Sequence, residues 1–271
     1  MMCTGSETAS AGNDAGVAGQ GFYIVAREPG AEHPALPTWA NRVADPLGLG
    51  EGAQAPVQLR SVAPVPGGFQ LLTLMSAEEC RRLVALTEAL GYLPDAAVSL
   101  PRSVRHNDNL TWVADDATVD LLWQRCAAAL ADFRAPVTGS RALGLNARFR
   151  FYRYGPGDYF APHTDGAWPG SRVVDGELVA NACPDRYSQY SLILLLSEGF
   201  SGGATAFYLD PEDPGRPHRG GPGAAVESVS TPLGAALCFP HGTHPLHCVH
   251  ASKPIVSGSK YILRTDILFE L

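Results

Sequence analysis

The most regular pattern in the chain is Arg148–Tyr154, where charged and aromatic residues alternate with the two-residue period of a β-strand. Gly155-Pro156-Gly157 breaks this strand, and Asp158, Tyr159 and Phe160 return the chain to an extended segment ending at His163-Thr164-Asp165. Strand patterns also cover Phe22–Ala26, Gly68–Leu74, Leu233–Phe239 and Lys260–Phe269. Tyr187–Ser197 is a near-continuous apolar run, the pattern of a strand buried on both faces. Gly202-Gly203 marks a turn entering a further strand through Phe207.

A helical period occurs twice. Ser76-Ala77-Glu78-Glu79 fits a capping box, Leu83, Leu86 and Leu90 follow on one face, and Gly91 ends the helix. Asp115 or Asp116 caps a second helix that runs to about Phe133, with Val119, Leu122, Trp123, Cys126, Leu130 and Phe133 as its apolar stripe. Residues 1–20 are small and polar and are expected to be disordered. Residues 27–56, 91–112, 134–146, 166–186 and 209–223 are expected to be connecting segments, those at 91–112 and 166–186 long enough to act as lids. From residue 146 onward only short strands are visible. The expected class is therefore α+β, mainly β: a sandwich or barrel with the two helices packed outside it.

Composition narrows the function without naming it. The 271 residues are 45% hydrophobic and 17% charged, a globular balance long enough for one large core. The net charge of −7, with no basic run, argues against a nucleic-acid partner. The 6 cysteines form no CxxC pair and are expected to be buried free thiols. Neither a membrane-length apolar run nor a signal-peptide pattern is present, so a cytoplasmic, membrane-free location is expected.

The candidate chemistry lies at the end of the opening pattern. Residues two apart in a strand share a side, so His163 and Asp165 present an imidazole and a carboxylate to one point. They are two parts of a facial two-histidine, one-carboxylate iron site. The second His must come from elsewhere. His241, His244, His247 and His250 recur every third residue, which is not a strand period, and Pro245 interrupts any ladder. One of them is expected to be a ligand, with the others facing core or solvent. Lys260 and Arg264 share a face of the closing strand, where either cation suits the far carboxylate of a metal-bound 2-oxo acid. Arg150, Trp168, Arg105, Asn107, Asn109 and Trp112 are candidates for a substrate-facing wall. Arg150 shares parity with Tyr152 and Tyr154; it could hold a carboxylate or a peptide carbonyl, or form an ion pair inside the scaffold.

On the segments YRYGPGDYFAPHTD, LILLLSEGFSGGATAF, GAALCFPHG and HASKPIVSGSKYILRTDILF, the chain from about Phe149 to Phe269 resembles the prolyl-4-hydroxylase-type 2-oxoglutarate/Fe(II) dioxygenases. The resemblance implies a double-stranded β-helix (jelly-roll) core at about residues 146–271, within a single domain over 21–271. It implies His163, Asp165 and His250 as iron ligands, Tyr154 lining the co-substrate pocket, and Lys260 pairing with the C5 carboxylate of 2-oxoglutarate. Ser252 replaces the usual glycine two residues after the distal histidine, and a shifted register would put His247 in the place of His250. The implied activity hydroxylates an unactivated C–H of a prolyl residue, peptide or free amino acid, consuming 2-oxoglutarate and O2, releasing succinate and CO2, with ascorbate as a reductant. Asp165 fits hydroxylation, since related halogenases carry a small residue there. Two rival classes are a cupin-like metal enzyme that does not use 2-oxoglutarate and a non-catalytic metal-binding barrel. Nothing in the sequence sets the oligomeric state.

Overall fold

The computed structural model describes residues 21–50, 55–97, 100–220 and 222–271, so the segment expected to be disordered, 1–20, lies outside the described residues, as does Cys3. In chain order the strands are β1 (Phe22–Glu28), β2 (Leu36–Asn41), β3 (Gln58–Ser61) and β4 (Phe69–Leu72), then, after a helix at Ala77–Leu90, β5 (Arg105–His106) and β6 (Asp108–Val113). A second helix, Asp116–Leu130, leads into β7 (Ala142–Leu145), β8 (Arg148–Tyr154) and β9 (Tyr159–His163). The rest is β: β10 (Pro169–Val174), β11 (Glu177–Leu195), β12 (Ser201–Gly202), β13 (Thr205–Leu209), β14 (Ala225–Val229), β15 (Ala236–Pro240), β16 (Val249–Ser252), β17 (Ile255–Ser257) and β18 (Lys260–Glu270).

An 11-stranded sheet has the order β1-β2-β6-β8-β18-β11-β15-β4-β3, with β10 added on β11 and β7 on β18; a 5-stranded sheet has the order β14-β13-β16-β9-β5. From β8 onward the chain alternates between the sheets: β8 in the large one, β9 in the small, β11 large, β13 small, β15 large, β16 small, β18 large. That winding is the double-stranded β-helix, or jelly roll.

Strand parity decides which side chains reach the site. On β8, Phe149 and Phe151 face outward into the main core with Trp112, Leu192 and Leu263, under the two helices. Tyr152 and Tyr154, on the other parity, face inward with Phe160 and Ile262. The first helix starts as expected: Ser76 Oγ accepts from the Glu79 amide at 3.2 Å, and Glu79 accepts from the Ser76 amide at 2.8 Å. Arg125 of the second helix then clamps the same Glu79 carboxylate, 2.7 Å from Nη2 to Oε1. A cap that also receives a bidentate arginine ties the helices to each other as well as to the sheet.

Several expected loops are ordered strands. Residues 166–186, expected as a lid loop, form the β10–β11 hairpin, closed by Asp175 (φ 52°) and Gly176 (φ 83°). Both positions need positive φ, which is why Asp-Gly serves here. The polar cluster before Trp112, expected in a connecting segment, is largely strand: Arg105 and Asn109 lie on β5 and β6, and Arg105, Asn107 and Asn109 are buried. Trp112 is not part of a substrate wall. It is fully buried in the outer core and donates from Nε1 to Asn41 Oδ1 at 2.8 Å. Residues 27–56 and 134–146 contribute β2 and β7, each docked at a sheet edge or flank. Cys80, Cys126, Cys238 and Cys248 are buried free thiols, while Cys183 is half-buried. Among the described residues no helix is long and apolar enough to cross a membrane.

Candidate metal centre

His163 ends β9, and β16 pairs beside it so that His250 stands directly opposite His163. Asp165, just past the strand end, completes a group whose ligand atoms all lie within 4.8 Å of one another. Asp165 Oδ1 is 3.7 Å from His163 Nε2, and its Oδ2 is 3.6 Å from His250 Nε2. The other ring nitrogens are committed elsewhere: Nδ1 of His163 donates to the Ala161 carbonyl at 2.8 Å, and Nδ1 of His250 to the Cys248 carbonyl at 3.2 Å. A proton on Nδ1 leaves the Nε2 lone pair free, which is the tautomer a metal ligand needs. Burial, with His250 beside it, brings the His163 imidazole down to about 4, and burial lowers that of His250 as well. Both rings are therefore neutral at ordinary pH, as metal ligation requires.

The carboxylate is held in its ionised form. Burial on its own would raise the Asp165 carboxyl, but Arg264 and the two imidazoles hold it well below the usual carboxylate range. Arg264 Nε lies 3.2 Å from Asp165 Oδ2, and Ser191 Oγ donates to the same oxygen at 2.5 Å. Behind this pair, Arg264 Nη2 is 3.3 Å from Asp266 Oδ1, while His241 bridges Ser191 and Ser188 at 3.0 Å on either side of its ring. Two neutral imidazoles and one braced carboxylate suit an octahedral divalent ion with open positions on one face, the donor set of non-haem Fe(II).

A cavity leads from these ligands to Lys260, between Tyr152, Tyr154, Phe160, Ile193, Thr205 and Ser252. Lys260 pairs across the sheet with Tyr154, and its Nζ lies 5.5 Å from the Tyr154 ring. Its Nζ donates to the Gly203 carbonyl at 2.5 Å. No carboxylate pairs with it among the described residues, and burial brings the ammonium down to about 8. Gly203 makes this possible: its φ is +65°, and a Cβ there would sit 2.4 Å from Ile255 Cδ1. Burial pushes the Tyr154 phenol up, and its hydroxyl lies beside Asn107 and Ser252. A buried ammonium without a counter-charge is a ready partner for a ligand carboxylate.

The remaining candidates are distributed around this cavity. Arg150 stands opposite Arg264 on the neighbouring strand and lies 4.8 Å over the Trp168 ring. Arg105, Arg150 and Tyr152 line a small adjoining cavity with Asn109 and Thr111. Asn107 lies beside the Tyr154 hydroxyl. His247 does not join the ligand group; its Nδ1 donates to the His244 carbonyl at 2.9 Å in the turn before β16. His241 and His244 are buried in the core, the latter 2.7 Å from the Pro136 carbonyl. Ser191 and Asp266 escaped sequence reasoning, and His241, one of the four candidate ligands, braces Ser191 instead of joining the ligand group. The two available signals were a serine inside the apolar run at Ser191 and an acid inside the closing strand at Asp266.

No protein-family model matches this sequence, and no curated protein matches it. Solved structures do. A Trichoplax adhaerens prolyl hydroxylase, in complex with a hypoxia inducible factor oxygen degradation domain peptide fragment, superposes with a TM-score of 0.52 at 11% identity, covering 76% of this chain and 84% of that one. A viral collagen prolyl hydroxylase of Paramecium Bursaria Chlorella virus-1 in complex with 2OG gives 0.46 at 18% identity, over 74% and 96% of the two chains. A Pseudomonas putida prolyl-4-hydroxylase gives 0.45 at 18% identity, over 75% and 92%. The chain has the fold of the prolyl-4-hydroxylase-type 2-oxoglutarate/Fe(II) dioxygenases.

Proposed function

We propose that residues 21–271 form a single 2-oxoglutarate- and Fe(II)-dependent dioxygenase domain that hydroxylates an unactivated C–H bond of a prolyl residue, a peptide or a free amino acid. The observation that carries this reading is the pairing, in one cavity, of a converging His163–Asp165–His250 ligand set with an uncompensated buried ammonium at Lys260. His163, Asp165 and His250 would hold Fe(II) through two Nε2 atoms and a carboxylate oxygen. Lys260 would take the C5 carboxylate of 2-oxoglutarate, with the Tyr154 ring packed beside it. Bound Fe(II), with 2-oxoglutarate and O2, would supply the oxidising chemistry that places a hydroxyl on carbon, with succinate and CO2 as products.

The chain's own part is to orient and to insulate. Ser191 and Arg264 fix the Asp165 carboxylate, so its ligand oxygen is aimed before any ion arrives. Phe160 stacks on the His163 ring at 3.6 Å, and Phe239 packs on that of His250 at 4.6 Å, which locks both imidazole planes. Phe160, Ile193 and Ile262 give the cavity apolar walls between the ligands and Lys260. Arg150, Trp168, Arg105 and Asn107 form the substrate-facing wall in this reading. Ascorbate as a reductant belongs to the same reading and is tested by adding it to the assay.

The test is succinate formation from 2-oxoglutarate with Fe(II) and O2, across proline peptides and free amino acids. Expected are Fe(II)-dependent succinate and its loss in Lys260→Ala. Turnover of substrate by Lys260→Ala without 2-oxoglutarate would point to a cupin-like enzyme instead. Bound metal with no succinate would point to a non-catalytic barrel.

A further inference from the structure

The reading above leaves the substrate's chemistry open, and Arg150 limits it. Arg150 is 5% exposed, and neither Nη1 nor Nη2 has a hydrogen-bond partner. Asp266 forms an ion pair with Nη1 at 3.7 Å, too long for a hydrogen bond, and also serves Arg264 at 3.3 Å and Asn146 at 3.4 Å. Directly across the sheet stands Arg264, a second buried guanidinium. Burial, then Arg264, pull the Arg150 guanidinium down to about 10. Two buried like charges in a cross-strand pair repel; Asp165 and Asp266 offset them, but neither gives an Arg150 Nη group a hydrogen bond. Arg150 also lines the adjoining cavity with Arg105, Arg148, Asn109 and Thr111, and no acidic residue is among its described lining. Tyr152 lines both this cavity and the one holding the ligand set, so the two adjoin.

Resting on the dioxygenase reading, we propose that the substrate carries a carboxylate, which docks in this second cavity against the Nη1 and Nη2 groups of Arg150. A planar guanidinium with two free N–H edges matches a carboxylate bidentately. A neutral peptide carbonyl would satisfy one of the two Nη groups and leave the other without a hydrogen bond. The Trp168 ring, 4.8 Å from the guanidinium carbon, helps hold Arg150 in position. The carboxylate belongs to a free amino acid or to a peptide's C-terminus, and the experiment separates the two.

The test uses full-length protein loaded with Mn(II) and saturating 2-oxoglutarate, without O2. The probes are matched pairs: L-proline and L-prolinamide, other free amino acids and their amides, and short peptides with a free or amidated C-terminus. Binding is read by tryptophan fluorescence and calorimetry. Carboxylates are expected to bind about tenfold to a hundredfold more tightly than their amides. The Arg150→Gln variant is expected to erase that ratio, while Arg150→Lys restores part of it. A purely structural arginine would instead weaken both members of each pair alike. Thr111, the cross-strand neighbour of Arg150, provides a variant that keeps the arginine: Thr111→Asp places an internal carboxylate in the cavity and is expected to abolish the preference. Free amino acids preferred over peptides would assign the first source, and C-terminal acids the second. Carboxylates that bind no better than amides, including no binding by either, would overturn the proposal, as would loss of 2-oxoglutarate affinity in Arg150→Gln. Failure of the dioxygenase reading would appear separately, as absent succinate in the aerobic assay despite carboxylate binding.

Discussion

Lys260 and Arg264 lie on one strand and one face, both cations are buried, and the residue between them on that face, Ile262, lines the same cavity. Their surroundings are opposite. Arg264 spans two carboxylates, Asp165 at 3.2 Å and Asp266 at 3.3 Å. Burial would lower its guanidinium, but those two acids override it and raise it. Lys260 has a backbone carbonyl and no acid, and burial acts on it without opposition. The difference separates a cation that completes the scaffold from one that awaits a ligand. Arg264 is part of how Asp165 is aimed, whereas the charge on Lys260 is compensated only when something anionic enters.

Substitutions at the two positions should therefore differ in kind. The largest effect on folding is expected for Arg264→Met, which leaves Asp165 and Asp266 buried without their shared cation. Urea denaturation of the metal-free protein should show a loss of about 3–5 kcal/mol. Retention of full stability would mean that the arginine is a bystander. Lys260→Met should do the reverse, leaving the ligand-free protein as stable or more stable by on the order of 1–3 kcal/mol, because an unpaired charge has been replaced by a thioether of similar length.

That second effect has a pH signature. The Lys260 ammonium falls from 10.5 to about 8 on folding. Below about pH 8 both the native and the unfolded chain carry the proton, and the burial penalty is complete. Between the two values the unfolded chain binds the proton and the native chain does not, so native stability rises with pH. Wild-type stability should climb towards that of Lys260→Met over this window, as followed by denaturation from pH 7 to 10. A gap independent of pH would place the ammonium in contact with solvent. A smaller effect is expected for Ser191→Ala, which removes one hydrogen bond from Asp165. Unfolding stability should fall by about 1 kcal/mol, and Mn(II) affinity by severalfold in calorimetry.

Much of the centre was legible in the chain because its parts are local or fall in order. The spacing His163–Asp165 and the position of Lys260 ten residues after His250 are short-range patterns, and the capping box at Ser76–Glu79 is a four-residue one. What supports the centre was not legible. Arg264, on β18 of the large sheet, meets Asp165, just past β9 of the small one, only once the two sheets come together, and Ser191 meets His241 only because β11 and β15 lie side by side. No periodicity announces such partners. Two errors had signals that were present. Asp175-Gly176 is a hairpin turn, and it would have turned the expected lid loop into β10 and β11. Trp112 has the opposite parity to Asn109 and Thr111 on β6, which puts it on the outer face of the sheet. Arg105 and Asn107 were harder: a polar run reads as solvated surface unless the strand β9 that covers it is already known.

The comparison between the two cations is tested most directly by a ligand cycle under anaerobic conditions. Calorimetry with Fe(II)-loaded wild type and Lys260→Met would use 2-oxoglutarate and pyruvate, which share the 2-oxo acid head and differ in the far carboxylate. Wild type should bind 2-oxoglutarate about a hundredfold more tightly than pyruvate, and Lys260→Met should bind the two alike, with pyruvate affinity unchanged from wild type. Undiminished 2-oxoglutarate binding by Lys260→Met would contradict the assignment of Lys260 as the awaiting cation.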